Sequence, residues 1–164
     1  MRLSDLVKLL VLPLAVSLAA CSSVGVDSGK VAEVRQITQS DHCGLTGPGV
    51  VYVDSAEDLE PLLGVSGQNL STRLVREVNL ASEHLVFVTL GQKPTAGYSV
   101  ALDKAHFSGN TLSLDMLTKQ PEPGMMVAQV ITSPCAVLAV PSVEWGQIRV
   151  AGITDKPLVR NLDP

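Results

Sequence analysis

Along most of this chain, apolar residues fall in short clusters separated by turn-forming residues, with a period nearer two than the helical value of about 3.6. Leu85-Val-Phe-Val-Thr-Leu90 is rich in β-branched and aromatic residues, too short for a helix, and bounded by Gly91. Beyond it Tyr98, Val100 and Leu102 alternate with Ser99, Ala101 and Asp103, the pattern of a half-buried strand. Between the two, Pro94 fixes φ for the start of a type I turn, and Gly97 supplies the left-handed residue that closes it. The spacing predicts a hairpin: strand, four-residue loop Pro94-Thr95-Ala96-Gly97, strand.

The remaining elements follow from the same reading. Val34 to Gln39 is a weak strand pattern suited to a sheet edge, and Asp41 to Gly49 has loop composition. Val50-Val-Tyr-Val-Asp54 is a strand. Ser55 with Asp58 makes a capping-box-like pair, Glu57 suits the positive helix end, and Leu59, Leu62 and Leu63 share a face that covers a sheet. Gly64 ends this helix, and Pro61 keeps it short. Leu70, Leu74 and Val78 share a face if residues 70–78 form a second short helix. After the hairpin the pattern is that of a meander. Ser108-Gly-Asn-Thr111 is a turn, and Leu112, Leu114 and Met116 alternate with Ser113, Asp115 and Leu117. Val127 to Thr132 reads as a strand closed by Pro134. Cys135-Ala-Val-Leu-Ala-Val140 is apolar throughout, hence central, and Val143 to Ala151 is the last strand before a tail from Asp155 to Pro164. The expected architecture is mainly β: an antiparallel sandwich or open barrel of about seven strands with one or two short helices.

The chain is 164 residues long, which suits one domain, and its start does not read as domain. Arg2 and Lys8 precede an apolar run from Leu9 to Ala20, the form of an export signal over residues 1–20. An ordinary signal peptide or a short membrane anchor has the same outline, but the run is too short to span a bilayer comfortably. Leu18-Ala-Ala-Cys21 resembles the lipobox of bacterial lipoproteins. The resemblance implies that Cys21 is diacylated on sulfur, becomes the N-terminus and is acylated again, which anchors the protein to a membrane. Ser22 follows where an Asp favours inner-membrane retention in enteric bacteria, so the resemblance is to the class sorted to the outer membrane, facing the periplasm. Residues 21–33 are small and polar without a period, a flexible tether, and residues 34–164 make a single domain.

Net charge is −4, and removal of Arg2, Lys8 and Asp5 with the signal moves it one unit further negative. With no basic patch interleaved with aromatics, nucleic acid is not an expected partner. Cys43 and Cys135 remain once Cys21 is assigned to lipid. In an exported chain they read as one disulfide, with two buried free thiols the alternative. His42 beside Cys43 lacks the further ligand spacing of a metal site, so no metal or other cofactor is expected. His42, His84 and His106 stand apart from one another, and no nucleophile elbow, zinc-protease helix or phosphate loop occurs. The chain does not read as an enzyme. Lys93-Pro-Thr-Ala-Gly-Tyr98 is the best candidate contact: Pro94 presets its shape, which limits the entropy lost on binding a protein.

Leu90-Gly-Gln-Lys-Pro-Thr-Ala-Gly-Tyr-Ser-Val100, Pro121-Glu-Pro-Gly124 and Gln129-Val-Ile-Thr-Ser-Pro-Cys135 together resemble the C-terminal domain of the PrcB family, over about residues 75–140. Ala96 stands where that family usually has a second glycine. Members are named from a lipoprotein subunit of a spirochaete surface protease complex, so the resemblance implies a protease-associated or otherwise protein-binding accessory lipoprotein. Pro94, Thr95, Gly97 and Tyr98 also resemble the Asn-Pro-Thr-Thr-Gly-Tyr loop of chagasin-like cysteine-protease inhibitors, which are immunoglobulin-like sandwiches. Lys93 and Ala96 depart from that loop, and the family's other two inhibitory loops are not evident; Trp145 lies in Glu-Trp-Gly instead. The reading is therefore a lipid-anchored, non-catalytic, protein-binding module, with protease inhibition through Lys93–Tyr98 the alternative and an enzyme of unknown reaction behind both.

Overall fold

A computed structural model describes residues 33–142 and 145–162. The expected signal, Cys21 and the expected tether up to residue 32 lie outside the described residues. Within them, ten elements follow in order: β1 (Arg35–Ser40), β2 (Pro48–Val53), α1 (Ala56–Leu63), α2 (Thr72–Arg76), β3 (Glu83–Leu90), β4 (Ser99–Ser108), β5 (Thr111–Lys119), β6 (Cys135–Pro141), β7 (Gln147–Ala151) and β8 (Leu158–Asn161). The strands form two four-stranded sheets, ordered β1-β6-β3-β2 and β4-β5-β7-β8. The mainly β sandwich expected from the sequence is what forms. Every strand pair is antiparallel except β5–β7, which runs parallel.

Two apolar layers hold the domain. Between the sheets, Val86, Val88 and Leu138 meet Leu112, Leu114, Ile148 and Val150. On the other face of the first sheet, Leu85, Phe87 and Val137 pack under Leu59 and Leu63 of α1 and Val75 of α2. Central strands β3 and β6 are thus covered on both faces, which is why Leu85–Leu90 and Cys135–Val140 are apolar without alternation. Full burial of each large aliphatic side chain contributes about 1.5–3 kcal/mol. Cys43 and Cys135 are joined by a disulfide, Cα atoms 6.0 Å apart, inside the helix-covered layer. No helix among the described residues is long and apolar enough to cross a membrane.

The helices follow their local signals with two adjustments. The Ser55 hydroxyl accepts the Asp58 backbone N–H at 3.2 Å, and it donates to the Asp58 carboxylate at 2.7 Å. Gly64 ends α1 at φ −87° with its N–H on the Glu60 carbonyl, so no left-handed residue is needed there. The second helix is shorter than the predicted 70–78: it buries Val75 and leaves Leu74 half-buried, while Leu70 and Val78 are buried just outside its ends. Tight i→i+3 bonds, Leu74 N–H to the Ser71 carbonyl and Val78 N–H to the Val75 carbonyl, stand at its two ends beside the i→i+4 bonds from Val75 N–H to the Ser71 carbonyl and from Glu77 N–H to the Arg73 carbonyl.

Four strand-level expectations are corrected. β3 and β4 are not a hairpin: they lie in different sheets, and residues 91–98 cross between them. Alternation reports which face a residue takes, and it carries no information about which strand lies alongside. The chain turns out of β3 at Gly91, whose φ is +68°. The meander also fails, since β4 and β5 pair around Gly109-Asn110 but the chain then returns to the first sheet as β6. Residues 127–132 do not form a strand; β6 already has β1 and β3 beside it, and β5 has β4 and β7, so neither offers a free edge. Finally, the last predicted strand begins at Gln147, Val143 and Glu144 lie outside the described residues, and the expected tail contains β8.

Both rims are bridged between sheets. Gln36 of β1 accepts the Leu102 backbone N–H of β4 at 2.8 Å, and Arg160 of β8 donates to the Val50 carbonyl of β2 at 3.2 Å. These side chains occupy backbone groups that an edge strand otherwise leaves open.

Candidate functional site

The crossover of residues 91–98 is fixed by backbone bonds to the segment that follows β5. Lys93 exchanges both backbone hydrogen bonds with Thr132, donating at 2.8 Å and accepting at 3.0 Å. The Ala96 N–H donates to the Ala128 carbonyl at 3.0 Å, and the Thr132 hydroxyl donates to the Thr95 carbonyl at 3.0 Å. At the base, Gln92 N–H donates to the Thr46 carbonyl. The loop therefore does not close on itself as a turn; its polar backbone is spent on residues 128–132. Gly97 does take the left-handed conformation, φ +94°, and a Cβ there would stand 3.0 Å from the Pro121 ring.

All six predicted contact residues lie in this one crossover. Pro94 and Gly97 are exposed, while Lys93, Thr95, Ala96 and Tyr98 are half-buried. The Tyr98 ring packs against the inter-sheet core, and the Lys93 ammonium lies 5.7 Å from its centroid, within cation–π range. Thr95 is no free tip, since its hydroxyl donates to the Ala96 carbonyl and its own carbonyl is taken.

What the sequence pattern missed is the surface beside the loop. Residues 121–131 carry Met125, Met126, Val130 and Ile131, four of the seven exposed large hydrophobic side chains among the described residues. Met126 is 98% exposed and Ile131 64%. The apolar content of Val127–Thr132 suggests a strand, yet only Lys93 and Ala96 pair with that stretch, so Val130 and Ile131 face solvent instead. A signal was available in Met125-Met126 directly after the breaker Glu122-Pro-Gly124: apolar residues in a turn-forming stretch without a period have no core to enter.

The other candidate residues do not converge. Cys43 is committed to the disulfide, so His42 and Cys43 cannot act as a metal pair. His106 is exposed on the outer face of β4 opposite Ser113. His84 Nδ1 is hydrogen-bonded to the Tyr52 hydroxyl, and the Tyr52 ring meets Trp145 edge-on at 5.6 Å. Burial, and secondarily the Asp54 carboxylate, raises the Tyr52 phenol above its ordinary value. The Trp145 indole N–H donates to the Pro141 carbonyl at 3.1 Å, so this aromatic group closes one end of the sandwich. Between the helices, the Arg76 guanidinium of α2 holds the Glu60 carboxyl of α1 below its ordinary range through paired bonds of 3.1 and 2.8 Å, a surface clasp. Among the described residues no group of three or more His, Cys, Asp or Glu side chains could hold a metal ion.

Residues 84–141 match the family model described as PrcB C-terminal. The matched span runs from β3 through β6, so it contains the crossover, the β4–β5 hairpin and the exposed 121–131 segment. No curated protein and no solved structure matches the chain.

Proposed function

We propose, from a span that matches the PrcB C-terminal model, that the chain is an accessory module that binds another protein of the cell envelope, in association with a protease. It works without catalysis of its own, anchored through acylated Cys21 to the outer membrane and facing the periplasm. The observation that carries this reading is the placement of the exposed strip Met125, Met126, Val130 and Ile131 against the backbone-fixed Lys93–Tyr98 crossover. Large apolar side chains gathered on one exposed segment mark contact sites more often than scattered ones do. Because the crossover is held by Thr132 and Ala128, little order remains to be gained on binding.

One fractionation experiment tests both halves. Wild-type protein is expected to sediment with envelope membranes and to retain its partner on immunoprecipitation. The double variant Met126→Asp with Ile131→Asp should still sediment and keep its stability within about 0.5 kcal/mol, as exposed positions do, while losing the partner. Cys21→Ala should leave the membrane fraction. Partner retention by the double variant rejects the contact surface, and sedimentation of Cys21→Ala rejects the acyl anchor.

A further inference from the structure

Behind the Lys93–Tyr98 crossover lies an open cleft of about 310 Å3. Its lining is mostly polar, from Lys93, Tyr98, Thr118, Lys119 and Gln120, with Leu90 and Ile153 the apolar members. Its construction follows from the fold. Lys119 ends β5 opposite Ser99, the residue after Tyr98, so both sit at one end of the β4–β5 ladder. Ile153 reaches the cleft because Gly152, at φ +90°, lets the chain close on β5; a Cβ there would fall 2.1 Å from the Met116 carbonyl oxygen.

The charge is what singles this cleft out. The chain carries net charge −4, yet no carboxylate lines the cleft beside its two lysines. Neither lysine enters an ion pair among the described residues, where all three salt bridges use arginine. By contrast, the cleft at the β2–β8 rim is lined by Asp54 and Asp58 with Arg160, so its charges are mixed. Two lysines in no ion pair among the described residues, with Leu90 and Ile153 beside them in an otherwise polar lining, suit an anionic group that has an apolar neighbour. No guanidinium fork is present of the kind that recognises phosphate in paired fashion, and a volume near the lower end for ligand sites fits a side chain or chain end better than a nucleotide.

From this we infer that the cleft binds a peptide carboxylate, from a C-terminus or from an acidic side chain, next to an apolar residue of the partner. The inference rests on the protein-binding reading and gives that partner its chemistry. Lys93 and Lys119 hold the carboxylate, and Leu90 and Ile153 receive the adjoining apolar side chain.

The test is a titration of 15N-labelled full-length protein followed by amide shifts. Three apolar peptides are compared: one with a free C-terminal carboxylate, one amidated with an internal Glu, and one amidated without acid. Either acidic peptide is expected to move the amides of Lys93, Tyr98, Thr118 and Lys119, and which of the two does so identifies the source. Affinity should fall about tenfold in Lys93→Gln with Lys119→Gln, and should weaken as salt rises from about 50 to about 500 mM. Lys119 is exposed and Lys93 is half-buried outside the apolar core, so the double variant should stay folded, with amide shifts elsewhere unchanged. Equal binding of the neutral peptide, shifts confined to other surfaces, no shifts at about 5 mM peptide, or displacement by inorganic phosphate but not acetate overturns the assignment. Loss of peptide binding with envelope capture intact removes the cleft and leaves the module reading standing. Peptide binding without any envelope capture does the reverse.

Discussion

Breaking the Cys43–Cys135 bridge is expected to remove about 4 kcal/mol of stability, a large share of what a domain this size possesses. The bridged residues are 92 apart in sequence, so the link restrains most of the unfolded domain, including all of β2 through β5. In the folded state both cysteines are buried, 2% and 0% exposed, in the layer shared by α1, α2 and the first sheet. Cys43→Ala with Cys135→Ala, compared with wild type by urea denaturation, should show the loss together with a steeper denaturant dependence, because the unlinked chain exposes more surface. A change below about 1 kcal/mol contradicts this account of what holds the domain.

A comparable loss, on the order of 3 kcal/mol or more, is expected for Gly91→Val. Two effects act together. Its φ of +68° disfavours any side chain, a β-branched one most of all. A Cβ would also stand 2.6 Å from the Pro48 nitrogen and 2.7 Å from the Gly47 carbonyl carbon, backbone atoms that cannot swing aside. Gly109→Ala is the control, since Gly109 has a similar φ of +57° with nothing within 4 Å of its Cβ position. That variant should lose only about 1–2 kcal/mol, the strain alone. Equal losses at the two positions, measured by thermal or urea unfolding, show that the collision at the crossover carries no weight.

The crossover illustrates how far the residues speak for themselves. Local signals with local consequences came through: the Ser55–Asp58 cap, the left-handed Gly97, and the doubly buried character of Cys135–Val140. Partner choice did not. Leu85–Leu90 and Tyr98–Leu102 have the right periods for strands and a plausible turn between them, yet Gly91 redirects the chain before that turn is reached. Whether an extended stretch becomes a strand depends on whether a neighbour has a free edge, and Val127–Thr132 finds only Lys93 and Ala96. The same limit hid β8, whose Leu158-Val-Arg-Asn161 is too short and polar to stand out until Arg160 is seen reaching the Val50 carbonyl. For the site, the Lys93–Tyr98 stretch was legible as a fixed loop. The Met125–Ile131 strip and the Lys119 side of the cleft were not, because they adjoin it only through the fold.

The most direct measurement is site-specific photo-crosslinking in intact cells, with the photoreactive residue placed at Met126 and, separately, at Val159 on β8. Both positions are exposed and apolar, but Met126 borders the crossover while Val159 lies on β8, at the edge of the second sheet opposite β4. Adducts to an envelope protein from position 126, with none from 159, are the predicted result. Adducts from 159 alone, or none from 126, contradict the claim that the face beside Lys93–Tyr98 is where this domain meets its partner.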